Sequence, residues 1–301
     1  MSVTVVRPGM LTTVQDLGRH GLQHLGVPVA GPMDWWSHEA ANRLAGNGPG
    51  AALLEITLIG PELEFSRGAT AVVTGAQFEF TVSGRPGVMN QAFAVGAGER
   101  VSLGRRLTGA RAFLAVDGGF AVPEVLGSRA THVRAALGGH EGRALKRGDT
   151  LALGEPGGPV VAAPISRPPH IPVPSPAVLR AIPGPDAVGR AFWGDVFTIS
   201  PESDRMGYRL DGPALETAGT HLSAGVAMGT VQVTPSGTAV LLMADRATSG
   251  GYARAATVIT ADLPIAGQLA PGDRVRFAPA DAVQAGAALA AMRALLPDAH
   301  A

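Results

Sequence analysis

Short apolar runs broken by glycine- and proline-marked turns recur along nearly the whole chain, and this pattern constrains the fold more than any other feature. In the first half Val3–Val6, Leu53–Leu58, Glu62–Ser66, Ala71–Thr74, Gln77–Val82, Val88–Val95, Arg100–Leu103, Arg111–Val116 and Thr150–Leu153 read as strands. The cluster Ser83-Gly84-Arg85-Pro86-Gly87 predicts a hairpin turn between two of them. Val178–Ile182, Val196–Ile199, Val231–Thr234, Ala239–Met243, Thr257–Ile259 and Arg274–Phe277 repeat the style in the second half. The strand–helix alternation of a parallel sheet is missing, so barrels or sandwiches are expected. The supply of turn formers, 41 glycines and 24 prolines in 301 residues, suits such folds. Between the halves, EPGGPVVAAPISRPPHIPVPSP holds eight of the 24 prolines and predicts an extended connection. It sets expected domains at 1–155 and 177–301, joined by 156–176. The alternative is a long surface loop on one domain.

Two helices stand out. Trp36, Ala40, Ala41 and Leu44 recur at helical spacing between Trp35 and about Ala45, with Gly46 as a stop. The turn Gly31-Pro32-Met33 delivers Asp34 to the N-cap, where its carboxylate accepts an unpaired backbone N–H. Asp281–Leu296 reads as a terminal packing helix with Val283, Ala287, Met292 and Leu295 or Leu296 on one face.

Composition narrows the chemistry. Basic and acidic side chains number 24 each, so no field favours nucleic acid or an anionic membrane. Without cysteine there is no disulfide framework, thiolate nucleophile or cysteine-held metal. No apolar run reaches the ~18 residues of a membrane span, and MSVTVVRPGM lacks a signal-peptide pattern. A cytoplasmic location is expected. Lys146 is the one lysine, so a Schiff base has a single candidate while Arg forks for carboxylate or phosphate are many. His20 and His24 are four apart, but Gly21 interrupts any helix that would align them on a metal.

Polar residues concentrate in five places. Gly9–Gly46 carries Gln15, Asp16, Arg19, His20 and His24 between glycines, too irregular for a helix and too polar for a buried strand, and ends at Asp34. Such a loop either holds an anion or merely turns and caps. Glu55 sits within the apolar run LLEITL, where alternation favours a solvent-facing carboxylate. Gly127–Arg143 offers Arg129, His132, Arg134 and His140 in a glycine-punctuated loop. SPESDRMGYRLD contributes Arg205, Tyr208 and Arg209, and ADRATSGGYARA contributes Asp245, Arg246 and Tyr252. Arg forks with a phenol orient a carboxylate or phosphoryl group; buried ion pairs among neighbours such as Asp204–Arg205 or Asp245–Arg246 would instead pin loops to a barrel rim. A phosphate-binding loop, an HExxH pair, a Gly-x-Ser-x-Gly elbow and a dinucleotide fingerprint are all absent from the sequence.

Several long motifs in one order carry a resemblance: LTTVQDLGRHGLQHLGVPVAGPMD (11–34), LLEITLIGPELEF (53–65), LAVDGGFAVPEVLGSRAT (114–131), EGRALKRGD (141–149), SPESDRMGYRLDGP (200–213), ADRATSGGYARAATVITADLP (244–264) and PGDRVRF (271–277). In these the chain resembles the family of the 5-oxoprolinase C subunit, also described as KipI antagonists and as allophanate hydrolase subunit 2 or biotin-dependent carboxyltransferase proteins. The resemblance implies an all-β fold of two tandem cyclophilin-like β-barrels with a few short helices, corresponding to carboxyltransferase subdomains A and B. It also implies work beside a KipI-like B subunit and a third protein, the A subunit, with ATP driving the opening of 5-oxoproline to glutamate. A carboxyltransferase acting on urea or another small amide, and a non-catalytic regulator that binds a KipI-like kinase inhibitor, are the alternatives. The Met-Lys-Met type motif for biotin is lacking, since Lys146 lies in Ala-Leu-Lys-Arg, so covalent biotin is not expected on this chain. By position and chemistry, Asp34, Asp245 and Tyr208 are the catalytic candidates, and Arg129, Arg205, Arg209, Arg246 and Tyr252 the candidates for substrate or anion binding. An interplay of Asp34 with the Arg-rich loops of the second half is expected.

Overall fold

A computed structural model describes residues 1–156, 158, 160, 168–217 and 221–297. The chain divides into two compact units. One comprises Met1–Arg19, Ala30–Ile171 and the chain from Leu295; the other comprises His20–Val29 and Pro172–Ala294. Much of the expected 156–176 connection lies outside the described residues.

The first unit is a nine-stranded sheet organised by two long strands, Ala69–Val82 and Arg100–Val116. The two ends of Arg100–Val116 have different neighbours. Near its start Val101 pairs with Leu63 and Val82; near its end Leu114 pairs with Leu54 and Val73. Register shifts between Gly75 and Phe80 separate these zones, and such irregularities bend and twist a strand. The sheet therefore curls instead of lying flat. Gly75 sits at the bend with φ +84°, and a Cβ there would lie 2.5 Å from the Arg111 carbonyl oxygen. The remaining order runs from Leu11–Gln15 through Leu53–Thr57 to the long strand, then Glu62–Phe65, Ser2–Arg7 and Thr150–Ala152.

Both faces of this sheet are covered. Leu54, Ile56, Leu63, Phe65, Val101 and Leu114 belong to the main core. On the other face Leu53, Val72, Phe113 and Ala115 pack against Ala41, Leu44 and Ala45 of the helix region. The helix is Trp35–Leu44, with Asp34 as its cap accepting the Ser37 N–H at 3.0 Å, and Gly46 follows it at φ +73°.

The second unit is a closed seven-stranded barrel. Its order is Ala177–Pro183, Ala253–Val258, Thr230–Val233, Ala239–Leu242, Gly207–Asp211, Phe197–Ile199 and Arg274–Pro279. The first and last of these close it in parallel, with Leu179 opposite Phe277, and closure removes the edge groups an open sheet would expose. Phe277 stacks on Phe192 at 4.7 Å and leans on Phe197 at 6.1 Å, all three buried.

Four expectations need correction. Leu11–Gln15 is a strand, because its threonines and Gln15 find buried partners within the unit. Ala71–Thr74 and Gln77–Val82 form one strand, as do Arg100–Leu103 and Arg111–Val116; glycines bend these strands without ending them. Tyr208 lies on a strand, Gly207–Asp211, which polar residues at alternate positions disguised. The terminal helix, Ala282–Ala294, packs through Ala285, Ala288 and Met292, leaving Val283 exposed.

Phe277→Ala should cost about 3–5 kcal/mol by emptying the centre of the aromatic stack. Urea unfolding would register this as a lower midpoint at unchanged slope; a loss below about 1 kcal/mol would contradict the packing described.

Candidate functional site

At the helix start in the first unit, the Asp34 carboxylate has no exposed surface. It accepts the Ser37 N–H and, at 2.7 Å, the Ser37 hydroxyl, while His170 Nε2 lies 2.6 Å from its second oxygen. Trp36 meets the His170 ring edge-on at 5.9 Å. The Ser37 carbonyl accepts the Thr74 hydroxyl at 2.7 Å, tying the first turn to the long strand. Glu55 is equally buried and accepts the Met33 N–H at 2.8 Å. It therefore does not face solvent, since the helix region covers the face that alternation had assigned to water. His38 is fully enclosed, edge-on to Phe113 at 6.3 Å. The Gln15 carbonyl lies near enough to favour its protonation, yet neither ring nitrogen makes a hydrogen bond of good geometry. Burial dominates and pushes His38 down to about 4.

The polar run after Gln15 serves the loop 127–143. Asp16 accepts the Gly18 and Arg129 N–H groups and the Ser128 hydroxyl, the last at 2.6 Å. Buried Arg19 donates to the carbonyls of Val125 and Ala130. Gly138 covers its guanidinium so closely that a Cβ would lie 2.0 Å from Nη2. Arg129 donates to the Val122 carbonyl and pairs with Glu124 at 2.8 Å.

In the second unit Arg205 grips Asp245 through two bonds, Nε at 3.0 Å and Nη2 at 2.9 Å, with both side chains buried. The fork thus joins two of the expected clusters across strands instead of pairing sequence neighbours. Arg246 donates to the Val226 carbonyl, and burial lowers its affinity for a proton against the pull of Asp245. Tyr208 is buried, its hydroxyl 3.4 Å from the Leu269 carbonyl. Arg209, next along the strand, faces outward near Glu202 at 3.4 Å.

Tyr252 has a different setting. It is 48% exposed and lines a half-open cavity of about 460 Å³ with His221, Thr217, Val233, Pro235 and Ala253. His221 Nδ1 lies 3.4 Å from Asp186, whose carboxylate accepts the Arg254 N–H at 2.8 Å. That bond, helped by His221 and the Arg254 side chain, holds the Asp186 carboxyl below its usual range. His221 Nε2 is buried without a hydrogen-bond partner. Asp186, His221, His170 and His38 were not singled out from the sequence, because each meets its partners only through folding.

Among the described residues no group of three or more His, Asp or Glu side chains is arranged to hold a metal, and no helix is long and apolar enough to cross a membrane.

A closed barrel and a curled sheet, each burying charged groups, make this an all-β protein. The family model described as "Carboxyltransferase domain, subdomain A and B" matches residues 25–279, and the chain belongs to that family. It is 37% identical to the C subunit of 5-oxoprolinase from Haemophilus influenzae, over 88% of this chain and 87% of that protein. Against the C subunit of the Escherichia coli 5-oxoprolinase it is again 37% identical, over 91% and 89%. The solved urea carboxylase of Kluyveromyces lactis superposes with a TM-score of 0.88 at 29% identity, covering 99% of this chain but 29% of that one. This chain thus spans under a third of that larger protein.

Two outcomes test the buried groups. Native His38 takes up its proton near pH 4 and the unfolded chain near 6.5, so the unfolded state binds more protons between these values. Stability should be unaffected by this group above pH 6.5 and should fall by on the order of 3 kcal/mol as pH drops towards 4. His38→Leu should remove that part of the slope in urea titrations at stepped pH; an unchanged slope would count against it. Arg205→Ala and Asp245→Ala should each cost about 3–5 kcal/mol, with the double variant costing much less than their sum. Additive losses would show that the pair is not coupled.

Proposed function

We propose that this chain is the C subunit of an ATP-dependent 5-oxoprolinase, acting in the cytoplasm with a KipI-like B subunit and a third protein, the A subunit. The observation that carries this reading is the near end-to-end match at 37% identity with two proteins named as the C subunit of 5-oxoprolinase. The name itself speaks of a larger assembly. In that reaction ATP supplies a phosphoryl group that turns the unactivated lactam into an electrophile water can attack. No phosphate-binding loop stands in this sequence, and Arg205, Arg129 and Arg143 are engaged with carboxylates. Nucleotide binding is therefore assigned to the assembly and not to named residues of this chain. What this chain offers a small amide is shape and hydrogen bonding on a rigid barrel.

A second reading has its own support. The chain is 32% identical to the urea amidolyase of Lachancea kluyveri, over 91% of this chain and 17% of that protein. A carboxyltransferase acting on urea or a related amide would need biotin on a separate carrier.

Purified together with the B and A subunits, the chain should support ATP-dependent release of glutamate from 5-oxoproline, and omission of any one of the three should abolish it. An assembled but inactive complex that carries an avidin-reactive partner would favour the carboxyltransferase instead. Tight assembly without either activity would leave the regulatory role.

A further inference from the structure

Three large apolar side chains of the first unit are exposed on neighbouring stretches of backbone: Met10 at 60%, Ile59 at 52% and Leu107 at 53%. Single exposed apolar residues are ordinary, whereas a group of them marks a contact surface. The Met10 N–H donates to the Ile59 carbonyl at 3.1 Å, and a Cβ on Gly9, at φ +74°, would lie 2.2 Å from that same oxygen. The buried Thr12 hydroxyl donates to the Pro8 carbonyl at 2.7 Å and fixes the turn from its other side. Ile59 leaves a tight turn in which its N–H bonds back to the Thr57 carbonyl at 2.7 Å. Leu58, at the centre of that turn, has φ +58°, a conformation that favours glycine. The Leu58 N–H donates to the Ala110 carbonyl and the Pro61 carbonyl accepts the Leu103 N–H, so the loop is pinned at both ends to the strand that carries Leu107. Leu107 itself sits on a bulge. Arg106 faces Phe78 and Thr108 faces Gln77, consecutive residues of the partner strand, and Leu107 between them faces neither. None of the three belongs to the core, which takes Phe78, Phe80 and Leu103 from the same two long strands. Apolar groups held in place before contact suit an interface, because little ordering remains to be lost on binding.

The charges beside the patch restrict its occupant. Arg105 and Arg106 precede Leu107, and Arg7 precedes the turn that carries Met10. Arg105 pairs with Glu79 at 2.8 Å. Exposed Arg106 donates from Nη1 to the Gly109 carbonyl. Exposed Arg7 lies in register with Glu62, which Arg100 holds at 3.2 Å. Among the described residues neither Arg7 nor Arg106 is in an ion pair. A second copy meeting this face about a twofold axis would set the patch and its cations against themselves, and like charges oppose that contact. Three side chains and two unpaired cations also fall short of what stable anchoring to a lipid surface takes. Nor can the three side chains alone fill the roughly 1,200 Å² that a stable interface buries, so they suit the centre of a wider contact with a different protein.

We propose that Met10, Ile59 and Leu107 form a docking patch for another protein, one that meets them with apolar side chains and sets carboxylates opposite Arg7 and Arg106. The proposal rests on the reading that this chain works in an assembly, and it gives that assembly a contact surface on the first unit.

The test titrates the full chain with the purified B and A subunits in a calorimeter. Ile59→Asp and Leu107→Asp place a carboxylate on the patch without touching the core, and each should weaken binding of one subunit about tenfold or more. Arg106→Glu should weaken it several-fold, by a margin that narrows as salt is raised. Val283→Asp, at an exposed apolar residue of the terminal helix, should leave binding unchanged. Circular dichroism and the urea midpoint of every variant should match the parent chain. Full binding by both Ile59→Asp and Leu107→Asp, or an equal loss in Val283→Asp, would overturn the proposal. Unchanged subunit binding with loss of a homodimer in sedimentation would assign the patch to a second copy instead. Loss of binding to phosphatidylserine vesicles, again with subunit binding unchanged, would assign it to a lipid surface. The same variants separate the patch from the reading it rests on. Patch-dependent assembly that releases no glutamate from 5-oxoproline keeps the surface and removes the activity. Glutamate release with subunit affinity unchanged in the patch variants does the reverse. An unaltered chain that binds neither subunit would overturn both.

Discussion

The Asp34 carboxylate keeps its charge away from water only because the chain around it supplies replacements for solvent. The Ser37 amide and hydroxyl and the His170 ring do so, and Thr74 anchors the same turn to the long strand. Leaving a buried charge unmatched costs several kcal/mol, so the helix start, the sheet beneath it and His170 are fixed by one requirement. Glu55 on the Met33 N–H and Asp16 on the Arg129 loop repeat the device within the same unit. The Arg205–Asp245 fork repeats it in the barrel. Burial of apolar side chains supplies most of the stability, and these groups are costly to disrupt because each would leave a buried partner unmatched.

Curling and closure solve the same problem for the backbone. In the first unit a single long strand changes neighbours halfway along, and the sheet bends around its core. In the second, a parallel seam between Ala177–Pro183 and Arg274–Pro279 joins the two ends of the sheet. The likeness to carboxyltransferase domains follows from this arrangement of strands, and it extends to 99% of the chain in urea carboxylase.

Strand content was legible because β-branched runs and glycine turns are local signals: the expected Glu62–Ser66, Ala239–Met243 and Arg274–Phe277 differ from the observed strands by a residue or two. Asp34 was legible as a cap for the same reason. Strands were missed where polar side chains point into a covered face, as in Leu11–Gln15, or where a glycine bends a strand without ending it, as at Gly75. Glu55 was misassigned because alternation cannot report that both faces of a sheet are covered. Among the candidate residues, Arg205 and Asp245 do come together, 40 positions apart in sequence. Sequence spacing had no means of showing this, or of bringing Asp186 to His221.

The functional picture that results separates two kinds of polar group. Asp34, Arg205 and Asp245 are enclosed by groups that match them, whereas Tyr252 is half exposed beside an open cavity. We propose ligand contact at the cavity beside Tyr252, with the buried pairs serving structural cohesion. Hydrogen–deuterium exchange of the full chain with and without 5-oxoproline tests this division most directly. The account predicts slower exchange in Thr230–Val233 and Ala253–Val258 and no change around Asp34. Protection confined to the Asp34 helix, with the cavity strands unaffected, would contradict it.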